Sequence, residues 1–170
     1  MIFIKAYDRI ITMIKQNDVA AYLNQLKDTL QSYYGERLMS LAVFGSLARD
    51  GFKHSHSDID LLVVLKDPLP SHFKRNKEFL EAEGKLSETV MSDKLSPVIR
   101  SVKEITAGTP LMLDMTEEII ILYDKEQILK KSLLDLTRRL RRLNAKRIFR
   151  GDRWYWILKP DIQWGEVFTI

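Results

Sequence analysis

The chain has 170 residues, 45% hydrophobic and 29% charged, which suits one compact domain with its own core and excludes a disordered or fibrous protein. It has no cysteine, which excludes a disulfide framework or a thiolate metal site and is compatible with a cytoplasmic setting. The net charge of +4 is uneven: residues 1–124 carry 15 Lys+Arg against 18 Asp+Glu (−3), and residues 125–170 carry 12 against 5 (+7).

In chain order, residues 3–16 place Phe3, Ile4, Tyr7, Ile10, Ile11 and Ile14 at helical spacing. The start Met1-Ile2-Phe3-Ile4-Lys5 lacks the basic end and cleavage site of a signal peptide, so none is expected. Asn17 or Asp18 can cap a second helix that runs to about Tyr34, with Gly35 ending it. Residues 38–44 read as a strand, and the Gly45-Ser46 turn leads into a short helix over 47–50 and a loop over 51–57. Residues 59–65 are almost wholly apolar, as in a strand covered on both faces.

Asp67-Pro68-Leu69-Pro70 breaks the chain before a charged helix over 71–89. A strand over 95–100 contains Pro97, which marks an edge or a bulge. Short helices over 102–107 and 110–118 and a strand over 119–123 follow. Residues 127–143 form a long basic amphipathic helix with Ile128, Leu129, Leu133, Leu136, Leu140 and Leu143 inward. A hairpin is expected over 147–150 and 153–158, and one more strand over 165–170. No apolar run approaches the roughly 18 residues that would cross a bilayer, so no membrane partner is expected. The expected class is α+β: a small mixed sheet with helices mainly on one side. The expected division is a domain over 1–124, with an N-terminal helical pair, and a basic helix-and-hairpin appendage over 125–170 packed on it.

The chemistry concentrates in Val43-Phe44-Gly45-Ser46-Leu47-Ala48-Arg49 and Ser57-Asp58-Ile59-Asp60-Leu61. Side chains alternate along a strand, so Asp58 and Asp60 point the same way. Two such carboxylates suit a hard divalent cation, Mg²⁺ or Mn²⁺, whose shell is completed by water and phosphates. Gly45 lets a ligand approach the backbone closely, and Ser46 offers a hydroxyl to a phosphate or an N-cap to the helix. Arg49, three residues on, faces the same side and suits phosphate charge or a salt bridge. Ser57 orients the Asp58 turn. Lys53, His54 and His56 lie in a loop beside the site, suited to phosphate contact or simple exposure.

These two motifs, a dozen residues apart, resemble the signature of the DNA polymerase beta-like nucleotidyltransferase superfamily. The form Gly45-Ser46-Leu47-Ala48-Arg49 with Ser57-Asp58-Ile59-Asp60-Leu61 is similar to the minimal nucleotidyltransferases. The resemblance implies a nucleotidyltransferase fold and a Mg²⁺-dependent transfer of a nucleoside monophosphate from a nucleoside triphosphate, ATP foremost. Asp58 and Asp60 would be catalytic and metal-binding residues, and Gly45, Ser46, Arg49 and Ser57 would bind nucleotide. It also implies an acceptor hydroxyl, as on the HEPN-type toxin partner of such proteins. The family's usual set has a third acid on a later strand, and here that position falls on Ser96. Asp93, Glu88 and Glu104 are the nearby substitutes. A non-catalytic nucleotide-binding or partner-binding module on the same fold is the alternative.

The basic C-terminal segment, residues 130–156, is open to three readings. Lys130, Lys131, Arg138, Arg139, Arg141 and Arg142, followed by Trp154-Tyr155-Trp156, suit a single-stranded nucleic acid. They also suit a partner protein or a homo-oligomer contact. Otherwise they are a solvated helix face beside a packed hairpin, since alternation must bury one set of the hairpin's side chains.

Overall fold

The computed structural model describes residues 19–50, 58–86, 94–151 and 153–169. The helix expected over 3–16, the caps at Asn17 and Asp18, the loop with Lys53, His54, His56 and Ser57, and the acids Glu88 and Asp93 lie outside them.

Helix α1 covers residues 19–34. Val19, Tyr22, Leu23, Leu26 and Leu30 recur at three- and four-residue spacing and are buried, which is the stripe that holds an amphipathic helix to a core. Gly35, at φ +53, turns the chain into a 3₁₀ segment, Gly35–Arg37. Strand β1 (Leu38–Phe44) then runs into helix α2 (Gly45–Asp50). Strand β2 (Ile59–Leu65) lies antiparallel to β1, and helix α3 (His72–Glu83) precedes strand β3 (Leu95–Ser101), which is parallel to β2. Helices α4 (Val102–Ala107) and α5 (Pro110–Met115) lead to strand β4 (Ile120–Asp124), antiparallel to β1. The order β3-β2-β1-β4 makes a mixed sheet with β3 at one edge. Pro97 sits there in unbroken register with Leu61. It therefore marks an edge, where a missing N–H need not break the ladder.

Both faces of the sheet are covered. Leu41, Val43, Ile59, Leu61, Val63 and Leu65 pack with α1 and with Phe79 and Ala82 of α3. On the other face Ala42, Leu62 and Val64 pack with Ile105 of α4 and with Met112, Leu113 and Met115 from α5. Leu129, Leu133, Leu136 and Leu140 of helix α6 (Ile128–Arg142) complete that layer. The expected arrangement with helices mainly on one side is thus corrected. A strand apolar at every position except Asp60 exposes hydrophobic surface on both sides unless both are covered, at about 25 cal/mol per Å² left wet.

Helix α3 is shorter than expected. The Ser71 hydroxyl accepts from the Lys74 N–H at its start, and Gly84 closes it. Its Arg75 is buried: Nε donates to the Leu69 carbonyl at 2.5 Å, and Nη1 donates to the Ile99 carbonyl at 3.2 Å and to the Glu104 carboxylate at 3.0 and 3.1 Å. Glu104 in turn closes a capping box with Ser101 at the start of α4. Burial alone would raise the Glu104 pKa, but the Ser101 bonds and Arg75 outweigh it and hold the carboxyl below its usual range. Glu104 is therefore committed to structure at the far end of β3 from Ser96, which removes it as a substitute third acid. Arg75→Leu is expected to cost about 2 kcal/mol, because it strips a half-buried carboxylate and two carbonyls of their donor. Urea unfolding checks this, and an unchanged midpoint would contradict it.

Asp124 ties three elements together. Its carboxylate accepts from the Ser40 hydroxyl at 2.6 Å and from the Leu129 and Lys130 N–H groups at 2.9 and 3.0 Å, joining β1 and β4 to the first turn of α6. Strands β5 (Lys146–Arg150) and β6 (Arg153–Ile157) form a separate two-stranded sheet. The extra strand expected over 165–170 does not form among the described residues. Residues 158–169 hold turns and irregular chain, and Trp164 and Val167 stand almost fully exposed. Among the described residues no helix is long and apolar enough to cross a membrane.

Candidate active site

The site lies where β1 ends and β2 begins. Asp60 is opposite Phe44 on one side and Ser96 on the other, on the sheet face shared with α4, α5 and α6. Gly45 adopts φ +72, in the left-handed region that favours glycine. A Cβ built there would stand 2.1 Å from Oδ2 of Asp60 and 3.0 Å from its Cγ. The turn and the carboxylate therefore form one surface, and Gly45 is required both by its backbone conformation and by this approach. Helix α2 begins at Gly45 itself, two residues earlier than expected, so Ser46 lies inside the first turn and is not its N-cap.

Asp58 is exposed just before β2, whereas Asp60 is half-buried. Burial, and secondarily the charge of Asp58, push the Asp60 carboxyl above its usual range. The folded chain thus holds this proton more tightly than the unfolded chain. The group's contribution to stability falls as pH rises from the unfolded carboxylate value through the raised folded one. At neutral pH the ionised Asp60 destabilises the fold. Asp60→Asn is accordingly expected to melt at a higher temperature than the native chain at pH 7 without metal, an advantage that shrinks in acid. A lower Tm in a pH series of thermal melts would contradict this.

The donor set fits a hard divalent cation. Two carboxylate groups that repel each other are relieved by a cation, and Mg²⁺ is commonly held by one or two carboxylates plus substrate phosphates and water. Among the described residues no group of three or more acids or histidines is placed to hold a metal. Ser96 stands in register beside Asp60, at the position where the resemblance led to a third acid being expected, and Asp93 lies outside the described residues.

On the other flank a cavity of about 160 Å³ opens between the Gly45 turn and the β5–β6 hairpin, lined by Phe44, Leu111 and Met115 with Arg49, Asp114 and Trp154. The Arg49 guanidinium lies over the Trp154 ring, 4.6 Å from its centroid. Asp114 Oδ1 accepts from the indole N–H of both Trp154 and Trp156, at 2.9 and 2.8 Å. Arg147 donates through Nη1 to Glu118 at 2.8 and 3.0 Å and lies 4.5 Å over Trp154. Alternation in β6 thus turns both tryptophans inward and Tyr155 outward, which leaves neither indole N–H for a nucleic acid. Sequence reasoning passed over Asp114 and Glu118, and took Arg147 only as one of the basic residues of the hairpin. The one signal for them was the two-residue spacing of Trp154 and Trp156, which demands a polar partner for two buried indole N–H groups.

A sequence model of the nucleotidyltransferase domain family matches residues 23–135, well over half of the chain. No curated protein matches. Among solved structures, a toxin–antitoxin complex with AMP-PNP is 18% identical, with a TM-score of 0.48 over 72% of this chain and 92% of that one. The toxin–antitoxin MntA-HepT is 17% identical, with a TM-score of 0.45 over 72% and 89%. A complex of a tri-AMPylated Shewanella oneidensis HEPN toxin with its MNT antitoxin is 16% identical, with a TM-score of 0.40 over 78% and 92%. The family match places the chain: it spans β1, α2, β2 and β3 and includes both Gly45 and Asp60. The chain belongs to the nucleotidyltransferase domain family, whose enzymes carry out nucleotidyl transfer.

Proposed function

We propose that this chain is a Mg²⁺- or Mn²⁺-dependent nucleotidyltransferase that uses a nucleoside triphosphate, ATP foremost, and delivers the nucleoside monophosphate to a hydroxyl on a partner protein. The observation that carries the reading is the contact of the Gly45 turn with the Asp60 carboxylate, beside Asp58, in a chain of the nucleotidyltransferase family. The minimal form of the motif, Gly45-Ser46-Leu47-Ala48-Arg49 with Asp58-Ile59-Asp60, supports a protein acceptor of the HEPN kind.

In this reading Asp58 and Asp60 hold the cation. When bound, it neutralises phosphate charge and orients the triphosphate for in-line displacement. Gly45 admits the phosphates against the backbone, and Ser46 and Arg49 donate to them. The acceptor oxygen forms its bond to the α-phosphorus, the bond to pyrophosphate breaks, and the hydroxyl proton leaves to solvent or a nearby base. The residues contribute position and charge complementarity, which supply most of the rate in phosphoryl transfer. Domain 1–124, with α6 closing its second face, holds all of these groups.

A second reading has one observation in its favour. Ser96, in register beside Asp60, gives the site two acids where transfer in this family uses three. A chain that binds metal and nucleotide without transfer is therefore the alternative. Thermal shift separates the first step: Mg²⁺ with ATP is expected to raise the Tm of the native chain in proportion to ln(1 + [L]/Kd) and to leave Asp58→Ala/Asp60→Ala unmoved. A HEPN-type partner chain added with α-labelled ATP then reports the acceptor. Binding without label on any protein favours the alternative, and no Tm shift at all contradicts both.

A further inference from the structure

The β5–β6 hairpin is joined to the site more closely than an appendage requires. Trp154 has its indole N–H held by Asp114 at 2.9 Å and its ring against Arg147 at 4.5 Å. Arg147 is itself buried and fixed by Glu118. Two groups touch the indole directly, Asp114 of α5 and Arg147 of β5, and Glu118, in the turn before β4, acts on it through Arg147. What the ring offers on the site side is its contact with Arg49, at 4.6 Å. Arg49 is a long, flexible side chain at the end of a six-residue helix. A contact that narrows its rotamers lowers the entropy lost when an anion binds. A guanidinium stacked on an aromatic keeps its charge, because the ring takes only its face.

We propose that Trp154 is a positioning residue that holds Arg49 for the nucleotide's phosphates, and that the hairpin is thereby a built part of the transferase site. The proposal rests on the phosphate role given to Arg49 above. The cavity beside the contact, at about 160 Å³, is well below the roughly 300–1,000 Å³ of pockets that enclose a whole small-molecule ligand. It accordingly takes part of a substrate while the rest lies over Gly45 and Asp60.

The test is the affinity of the full chain for AMP-PNP with Mg²⁺, by calorimetry, with adenosine as a ligand lacking phosphates. Trp154→Leu is expected to weaken AMP-PNP about three- to thirtyfold and to leave adenosine unchanged, which a merely structural role would not do. Trp154→Phe keeps a ring under the guanidinium and is expected to restore most of the affinity. Arg49→Ala is expected to weaken AMP-PNP, and Arg49→Ala/Trp154→Leu to be no weaker than Arg49→Ala alone. If Trp154→Leu does not fold, Trp154→Phe against Trp154→Met compares a ring with a ringless side chain, and equal affinities would overturn the proposal. Additive losses in the double variant would overturn it too, as would a Trp154→Leu chain that binds AMP-PNP like the native one while Arg49→Ala does not. A native chain that binds no AMP-PNP overturns the reading of the site itself and this inference with it.

Discussion

Gly45→Ala is expected to abolish measurable nucleotidyl transfer and to destabilise the chain by about 2 kcal/mol or more. Two independent causes act at once. At φ +72 any side chain is strained by its own backbone, at about 1–2 kcal/mol for an L-residue. The new methyl would also stand 2.1 Å from Oδ2 of Asp60, so the carboxylate has to move. Asp60 is a short, half-buried side chain with few rotamers, and displacement carries it away from where Asp58 and the phosphates would share a cation. A displacement on the order of 1 Å in such a site can cost about a hundredfold in rate. The two causes separate in a double variant. Gly45→Ala/Asp60→Ala removes the clash and is expected to regain part of the stability while remaining inactive. A Gly45→Ala chain with near-native transfer would show that Asp60 is free to leave the turn without consequence.

Asp58→Ala and Asp60→Ala are each expected to lower transfer at least about a hundredfold, by removing a ligand of the charge that opposes the developing charge on the phosphates. The losses should not add. Once either carboxylate is gone the pair no longer holds the cation, so the double variant should be little worse than the worse single one. Their effects on the fold should differ. Asp58 is exposed, so its removal should raise the Tm only slightly without metal, by easing its repulsion of Asp60, whereas neutralising Asp60 relieves the burial that is the larger cause of its raised pKa. Single variants with additive, modest losses would mean that the two acids act separately.

The parts of the fold that were legible in the sequence are those whose pattern is local. β2 is apolar at nearly every position and is buried throughout except at Asp60. Leu129, Leu133, Leu136 and Leu140 repeat at helical spacing and form the buried stripe of α6. The family was legible because the Gly45-Ser46 turn and the Asp58-x-Asp60 pair lie a dozen residues apart, where β1 ends and β2 begins. What was missed depends on contacts between distant positions. The helices divide between both sheet faces because the strands are apolar on both, a fact readable at β2 but not carried to the architecture. The charged pattern of residues 71–89 hid the buried Arg75, which is satisfied by groups 6 to 29 residues away. The hydrogen bond from Trp154 to Asp114 spans 40 residues, and no periodicity announces it. The strand expected over 165–170 does not form among the described residues, where the chain turns at 164–165 and then runs irregularly without joining either sheet.

In the proposed reading Asp58, Asp60 and the Gly45 turn form a working nucleotidyl-transfer site with Ser96 beside Asp60 in the place of a third acid. The most direct test incubates the native chain and Asp58→Ala/Asp60→Ala with α-phosphate-labelled ATP and Mg²⁺ or Mn²⁺, in the presence of lysate from the source organism, and follows the label. Label that passes to a protein with the native chain and not with the double variant is the predicted result. Label that moves equally with both chains, or with neither although the native chain binds the nucleotide, would contradict it.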